Sequence, residues 1–117
     1  MEGKYISLIT YKRNGDPRAT PLWFVEENEK IYFVTLQGRY KVKRVKSNPN
    51  VKIASSSMRG KPKEEYIEGI ARILSDDESK PIIALFKKKY RMFKIMFKEG
   101  REGEKKLIFI EIALKEN

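Results

Sequence analysis

Apolar and polar positions first alternate from Tyr5 to Tyr11 (YISLITY), a stretch rich in β-formers that predicts a strand. Asn14-Gly15-Asp16-Pro17 supplies a turn, and a second strand is expected from Arg18 to Glu26 through Pro21-Leu22-Trp23-Phe24-Val25. Glu27-Asn28-Glu29-Lys30 turns the chain into a third strand, Ile31 to Leu36. Gly38 then breaks the pattern. From Arg39 to Ser47, Val42 and Val45 stand three apart among basic residues, which predicts a short helix. Asn48-Pro49 ends it, because the residue before a proline is pushed out of the α region.

A fourth strand is expected from Asn50 to Ser57, followed by the basic loop Arg59-Gly60-Lys61-Pro62-Lys63. A fifth runs from Glu65 to Leu74, with Ile67, Gly69, Ala71 and Ile73 on one face. Ser75-Asp76-Asp77-Glu78 is a capping-box signature, with acidic residues where a helix start favours them. Ile82, Ile83, Leu85, Phe86 and Tyr90 give that helix a broad apolar face, and Pro81 implies that its regular part starts near residue 81. Arg91 to Lys98 fits continuing helix or a bent loop, Glu99 to Gly103 a turn, and Lys106 to Leu114 a last strand, apolar except at Glu111.

The order β-β-β-α-β-β-α-β, with hairpin-linked strands and short helices, implies a mainly β fold: an antiparallel sheet, most simply a small closed barrel. It is a poor fit to a doubly wound nucleotide-binding sheet, which needs βαβ units. A chain of 117 residues suits one domain spanning 1–117, and at this size about two-thirds of the unfolded surface can be buried without a disulfide.

Composition narrows the chemistry. The chain has no cysteine and no histidine, which excludes disulfides, thiolate nucleophiles, Ser-His-Asp triads and zinc held by sulfur or imidazole. No carboxylate cluster has metal-ligand spacing, so no metal site is expected. Redox or group-transfer chemistry would therefore come most easily from a bound cofactor. No apolar run approaches the roughly 20 residues of a membrane span. Met1-Glu2-Gly3-Lys4 leads straight into strand-like sequence, so a cytoplasmic protein is expected. Lys and Arg number 26 against 16 acidic residues, and a net charge of +10 favours an anionic partner.

Several pieces, in order, resemble one family. They are the hairpin YISLITYKRNGDPRATPLWFV, then IYFVTLQGRYKVKRVKSNPNVKIASSS, then Arg59-Gly60-Lys61-Pro62, Glu68-Gly69-Ile70-Ala71 and the helical Lys89-Tyr90. Together they resemble the pyridoxamine 5'-phosphate-oxidase-like split barrels that bind FMN, and most closely the small deazaflavin-dependent branch. The resemblance implies a six-stranded antiparallel split β-barrel that forms a homodimer, with two cofactor sites between the subunits. It also implies an oxidoreductase passing hydride between FMN or the deazaflavin coenzyme F-420 and a small organic substrate. The family's phosphate grip falls on Arg39 and Lys41. Thr35 and the Thr20-Pro21-Leu22 segment would line the ring and ribityl chain, and Ser56 and Arg59 are further candidates. Relatives usually carry a helix before the first strand, whereas here four residues precede Tyr5. The match is loose after Tyr90.

Physical chemistry supports the grip independently. Gly38 lets the backbone approach a ligand, the following helix start offers free N–H groups and a positive dipole end, and Arg39 and Lys41 add a planar fork and a point charge. Trp23 and Phe24 adjoin on a strand and must point to opposite faces, one to the core and the other to a cofactor, an interface or simple packing. The basic runs Lys87-Lys88-Lys89 and Lys41/Lys43/Arg44/Lys46 admit a second class of function, a non-enzymatic barrel that binds nucleic acid or another polyanion. No nucleic-acid-binding motif accompanies them, which disfavours that partner. A cofactor-storage protein without catalysis is a third option.

Overall fold

The computed structural model describes residues 3–93 and 106–115. Its elements are β1 (Tyr5–Tyr11), β2 (Pro17–Glu27), β3 (Lys30–Leu36), α1 (Tyr40–Ser47), β4 (Asn50–Ser56), β5 (Ile67–Ile73), α2 (Asp76–Lys89) and β6 (Leu107–Leu114). The six strands close into an antiparallel barrel in the order β1-β2-β3-β6-β5-β4. The expected split-barrel architecture is therefore present.

Two-residue periodicity sorts the strand side chains into two cores. Ile6, Leu8, Phe24, Ile31 and Phe33 point into the barrel, where Val45 of α1 joins them and plugs one end. Val25, Tyr32 and Val34 point outward and are covered by Ile82 and Phe86 of α2 and by Tyr90 just beyond it. Phe86 is fully buried, a contribution of about 1.5–3 kcal/mol for a side chain of this size. Gly69 allows β5 to approach β6 closely, since a Cβ there would stand 2.7 Å from Ile112 Cγ2 and 3.1 Å from the Ala113 carbonyl oxygen.

Two expectations need correction. The helix over Pro81 begins at Asp76, not near the proline. Its capping box is complete: Glu78 N donates to Ser75 Oγ at 3.2 Å and Ser75 N to Glu78 Oε1 at 3.0 Å. The donor that Pro81 lacks would have met the carbonyl of Asp77, an exposed residue, so water can serve that carbonyl. The fifth strand starts at Ile67, not Glu65, because the chain before it folds over β1. There Tyr66 OH and Ser7 Oγ share a hydrogen bond of 2.8 Å. Residues 94–105 lie outside the described residues, and with them most of the Arg91–Lys98 stretch and the Glu99–Gly103 turn.

Tyr90, just past α2, holds the helix to the barrel. Its hydroxyl lies 2.8 Å from Phe24 N, which donates to it, and 2.6 Å and 2.8 Å from the carbonyls of Phe24 and Lys4. Register would set Lys4 opposite Phe24, but β1 starts at Tyr5, so the phenol replaces the missing pair. Its ring stacks on Trp23 at 4.5 Å. Both aromatics in question are thus accounted for by packing, Phe24 inside the barrel and Trp23 under α2.

Candidate functional site

The β2–β3 ladder is short. It pairs Phe24–Glu27 with Lys30–Phe33 and then stops, although both strands continue. Extending the register would set Trp23 against Val34, Leu22 against Thr35 and Pro21 against Leu36, and these pairs are not formed. Phe24 gives its N–H and C=O to Tyr90, so strand alternation turns the backbone of Trp23, Pro21 and Ala19 toward the opening. Pro21, with no N–H to leave unpaired, suits that edge. β2 and β3 thus part like the lips of a slot, at the end of the barrel where α1 begins.

Thr35 stands on β3 in step with the inward-facing Ile31 and Phe33. It is 5% exposed, and its hydroxyl has no hydrogen-bond partner among the described residues. Leu22 packs against the inner core from the other lip, with Thr20 two residues away on the same face. An uncommitted hydroxyl at the edge of the core, on one of two parted strands, is a place for a ligand's polar atom.

After Leu36 the chain turns through Gly38, at φ +88°, a value that favours glycine. Arg39 then takes the N-cap position of α1 without a side-chain cap, and no acidic residue occupies the first turn. The N–H groups of Tyr40 and Lys41 have no protein acceptor among the described residues. Val42 and Val45 are buried, Arg39 and Lys43 exposed, and Lys41 and Arg44 partly buried between them. The Lys41 ammonium has its pKa pushed below the usual lysine value by burial, then by the positive charges of Arg39 and Arg44. Among the described residues no carboxylate forms an ion pair with Arg39, Lys41 or Arg44.

α2 follows the opposite rule. It carries Asp76, Asp77 and Glu78 in its first turn and Lys87, Lys88 and Lys89 in its last, as the helix dipole favours. Within one chain, then, one helix has complementary ends, while the other has cations gathered at its positive end. Each such misplaced charge costs about 0.3–1 kcal/mol relative to a complementary one. A bound anion would reverse that cost.

The other candidates fall elsewhere. Ser56 is buried at the far end of β4, opposite Tyr5, and its hydroxyl donates to the Ser57 carbonyl at 3.0 Å. Along β1 that is about 16 Å from Thr10, the position that α1 reaches, at 3.3 Å per residue. Arg59 is exposed on the tight turn after β4, and this turn folds back against β2: a Cβ on Gly60 would stand 3.4 Å from Pro21 Cδ. The structure therefore sets Arg39 and Lys41 at the start of α1, following β3, with Thr35 on one of the two parted strands and the Thr20-Pro21-Leu22 segment on the other. It brings the Arg59 turn to the outer side of that segment and leaves Ser56 apart.

Thr10, Arg18 and Arg44 belong to the same neighbourhood and are new to it. Arg44 Nε donates to Thr10 Oγ1 at 2.6 Å, and Thr10 pairs with Arg18 across the first hairpin. The three-residue spacing of Lys41 and Arg44 was visible in the sequence; the contact with Thr10 needed the helix to be placed.

A separate cavity of about 480 Å³ lies under α2, lined in part by Tyr32, Arg72, Glu78 and Glu111. Arg72, Glu78 and Glu111 are paired with one another there. Arg72 meets Glu78 at 2.8 Å and Glu111 at 3.3 Å, and Tyr32 OH donates to Glu111 at 3.2 Å. No group of acidic side chains among the described residues is arranged to hold a metal. No helix among them is long and apolar enough to cross a membrane.

The sequence model of one family, described as pyridoxamine 5'-phosphate oxidase, matches residues 2–116. No curated protein matches the chain. Among solved structures, the heme storage protein HutZ from Vibrio cholerae aligns with a TM-score of 0.77 at 14% identity, over 99% of this chain and 84% of that one. A pyridoxamine 5'-phosphate oxidase-related, FMN-binding protein from Nostoc punctiforme aligns with a TM-score of 0.66 at 16% identity, over 95% and 70%. An F-420 reductase aligns with a TM-score of 0.65 at 21% identity, over 97% and 87%. At such identities these likenesses establish a shared fold.

Proposed function

Because the chain belongs to the pyridoxamine 5'-phosphate oxidase family, we propose that it is an oxidoreductase holding a flavin-type cofactor, FMN or the deazaflavin coenzyme F-420, in the slot between β2 and β3. The observation that carries this reading is the unneutralised cation group at the start of α1, which follows directly on the end of β3 where Thr35 stands with an uncommitted hydroxyl. That combination fits a molecule with a phosphate at one end and a polar ring system at the other.

In this reading Arg39 and Lys41 take the phosphate, with the free N–H groups of Tyr40 and Lys41 completing the cradle. Thr35 gives or accepts a hydrogen bond at the ring or ribityl chain. Thr20, Pro21 and Leu22 form the facing wall, and the Arg59 turn closes over its outer side. Ser56 would reach a cofactor only in a second copy of the chain. A homodimer that completes the open side of the slot is part of the proposal, and the exposed Tyr40, Met58, Ile67 and Ile70 suit such a contact.

The ring would supply hydride transfer to or from a small organic substrate; the protein would bind it, orient it and keep water from it. No side chain is assigned a catalytic role. The deazaflavin cofactor is favoured by the excess of cations around the slot, which suits its more strongly anionic form.

Titration of the pure protein with each cofactor, followed by visible absorbance and fluorescence, tests the reading. Arg39→Ala and Lys41→Ala should each weaken binding by about 1.5–3 kcal/mol, the value of a charge-assisted hydrogen bond. Unchanged affinity in both variants would remove the site assignment. Protein that ignores both cofactors and shifts single-stranded oligonucleotides would establish the polyanion-binding alternative instead. A cofactor bound tightly but never reduced or oxidised by any supplied partner would point to storage.

A further inference from the structure

Lys41 and Arg44 are three residues apart on α1, so their side chains share a face. Both are partly buried. Like charges in that arrangement oppose helix formation by about 0.2–0.5 kcal/mol, and burial adds to the cost. Arg72 sits with Glu78 and Glu111, Lys30 with Glu111 and Lys106 with Asp76, so partly buried or clustered cations can find carboxylates in this fold. Around Arg44 the neighbouring charge is a second arginine.

We propose that Arg44 and Arg18, set over Thr10 at the rim of the barrel, form a second anion subsite beside Arg39 and Lys41, so that the cofactor carries an anionic group beyond its first phosphate. This inference rests on the cofactor reading above.

Three observations build the subsite. Arg44 Nε is tied to Thr10 Oγ1 at 2.6 Å, which fixes the plane of the guanidinium. Neither terminal nitrogen of Arg44 has a partner among the described residues, so two donors in a fixed fork remain for an oxyanion. Thr10 is 1% exposed and pairs with Arg18, so the hairpin register itself brings the second cation to the same rim. Burial and then the charge of Arg18 push the pKa of Arg44 down, which places the two guanidinium groups in electrostatic reach of each other. The C-terminal end of α1 favours a cation at Arg44, but that attraction gives no reason for Arg18 beside it.

A diphosphate, as in FAD, or a carboxylate tail, as in the deazaflavin coenzyme, would supply the second anionic group. FMN has only the first. Titrating the full chain with FMN, FAD and F-420 at two salt concentrations separates these cases, using Arg44→Gln, Arg18→Gln and Lys41→Gln. Arg44→Gln and Arg18→Gln are each expected to weaken FAD or F-420 about ten-fold and FMN less than two-fold, whereas Lys41→Gln weakens all that bind. Whichever of FAD and F-420 responds identifies the second group. The salt dependence of its affinity should also become shallower in both arginine variants. Arg18→Gln leaves the Arg44–Thr10 bond intact, and thermal unfolding of each variant confirms that the rim is folded.

If Arg44→Gln and Arg18→Gln leave every affinity unchanged, or weaken FMN as much as the others, while Lys41→Gln still weakens FMN, the subsite is wrong and the cofactor reading stands. If none of the three cofactors binds the unaltered protein, both are wrong.

Discussion

Replacing Tyr90 with Phe removes one oxygen and leaves the ring, and the structure says what that oxygen holds. A phenol has one hydrogen, and two carbonyls are within reach of it, Phe24 O at 2.6 Å and Lys4 O at 2.8 Å. Lys89 Nζ also donates to Phe24 O at 2.8 Å, so that carbonyl keeps a partner when the hydroxyl is lost. Lys4 is exposed and can turn to water. Phe24 N–H cannot, because Phe24 is fully buried and its donor is aimed at the Tyr90 oxygen. The loss is therefore one buried, unsatisfied N–H, about 1–3 kcal/mol, while the stack on Trp23 at 4.5 Å is retained. For a domain of this size that lowers Tm by about 4–12 °C. Urea unfolding of both proteins at equal m-value measures it, and Tyr90→Leu should cost more because the stack goes as well. A Tyr90→Phe protein within about 0.5 kcal/mol of the parent would refute the role of the hydroxyl as a substitute for the missing Lys4–Phe24 pair.

Burial pushes the pKa of Tyr90 above its ordinary value, so above pH 10 the unfolded chain gives up a proton that the folded chain keeps. The stability that this provides is complete below pH 10 and declines as pH rises further, and an alkaline unfolding series should show a shallower decline in Tyr90→Phe. Gly69→Ala should destabilise by about 1–3 kcal/mol, since the new methyl would meet Ile112 Cγ2 at 2.7 Å; an unchanged urea midpoint would contradict the β5–β6 spacing. Lys41→Gln should raise or preserve the Tm of the free protein while weakening anion binding, because burial, Arg39 and Arg44 all disfavour its charge. Calorimetry showing a clear loss of stability would argue that Lys41 serves the fold instead.

Much of this architecture was legible along the chain, for identifiable reasons. Two-residue alternation marked β1, a run of β-formers marked β3, and turn residues at Asn14-Gly15 and Glu27–Lys30 set the hairpins. The start of α2 was the exception: Pro81 argued for a late helix, and the complete capping box at Ser75–Glu78 outweighed it. The family resemblance, supported by Gly38 and the helix start after it, pointed to Arg39 and Lys41. What the pattern along the chain could not give was the parting of β2 from β3, because Pro21, Leu22 and Trp23 read as ordinary strand residues until the ladder is seen to end at Phe24. Nor could it give the Arg44–Thr10–Arg18 group, which joins a helix to a hairpin through a register set by the whole barrel. Ser56 was suggested by its polar neighbours, but it sits at the opposite end of β1 from α1.

The central claim is that an anion on a flavin-type ring is recognised by the cations at the start of α1. Riboflavin has the ring and ribityl chain of FMN without the phosphate, so the pair isolates that interaction. Parallel fluorescence titrations of the unaltered protein should give FMN an affinity at least ten-fold above that of riboflavin, with the gap closing in Lys41→Gln. Equal affinity for riboflavin and FMN, or a gap that Lys41→Gln leaves intact, would contradict it.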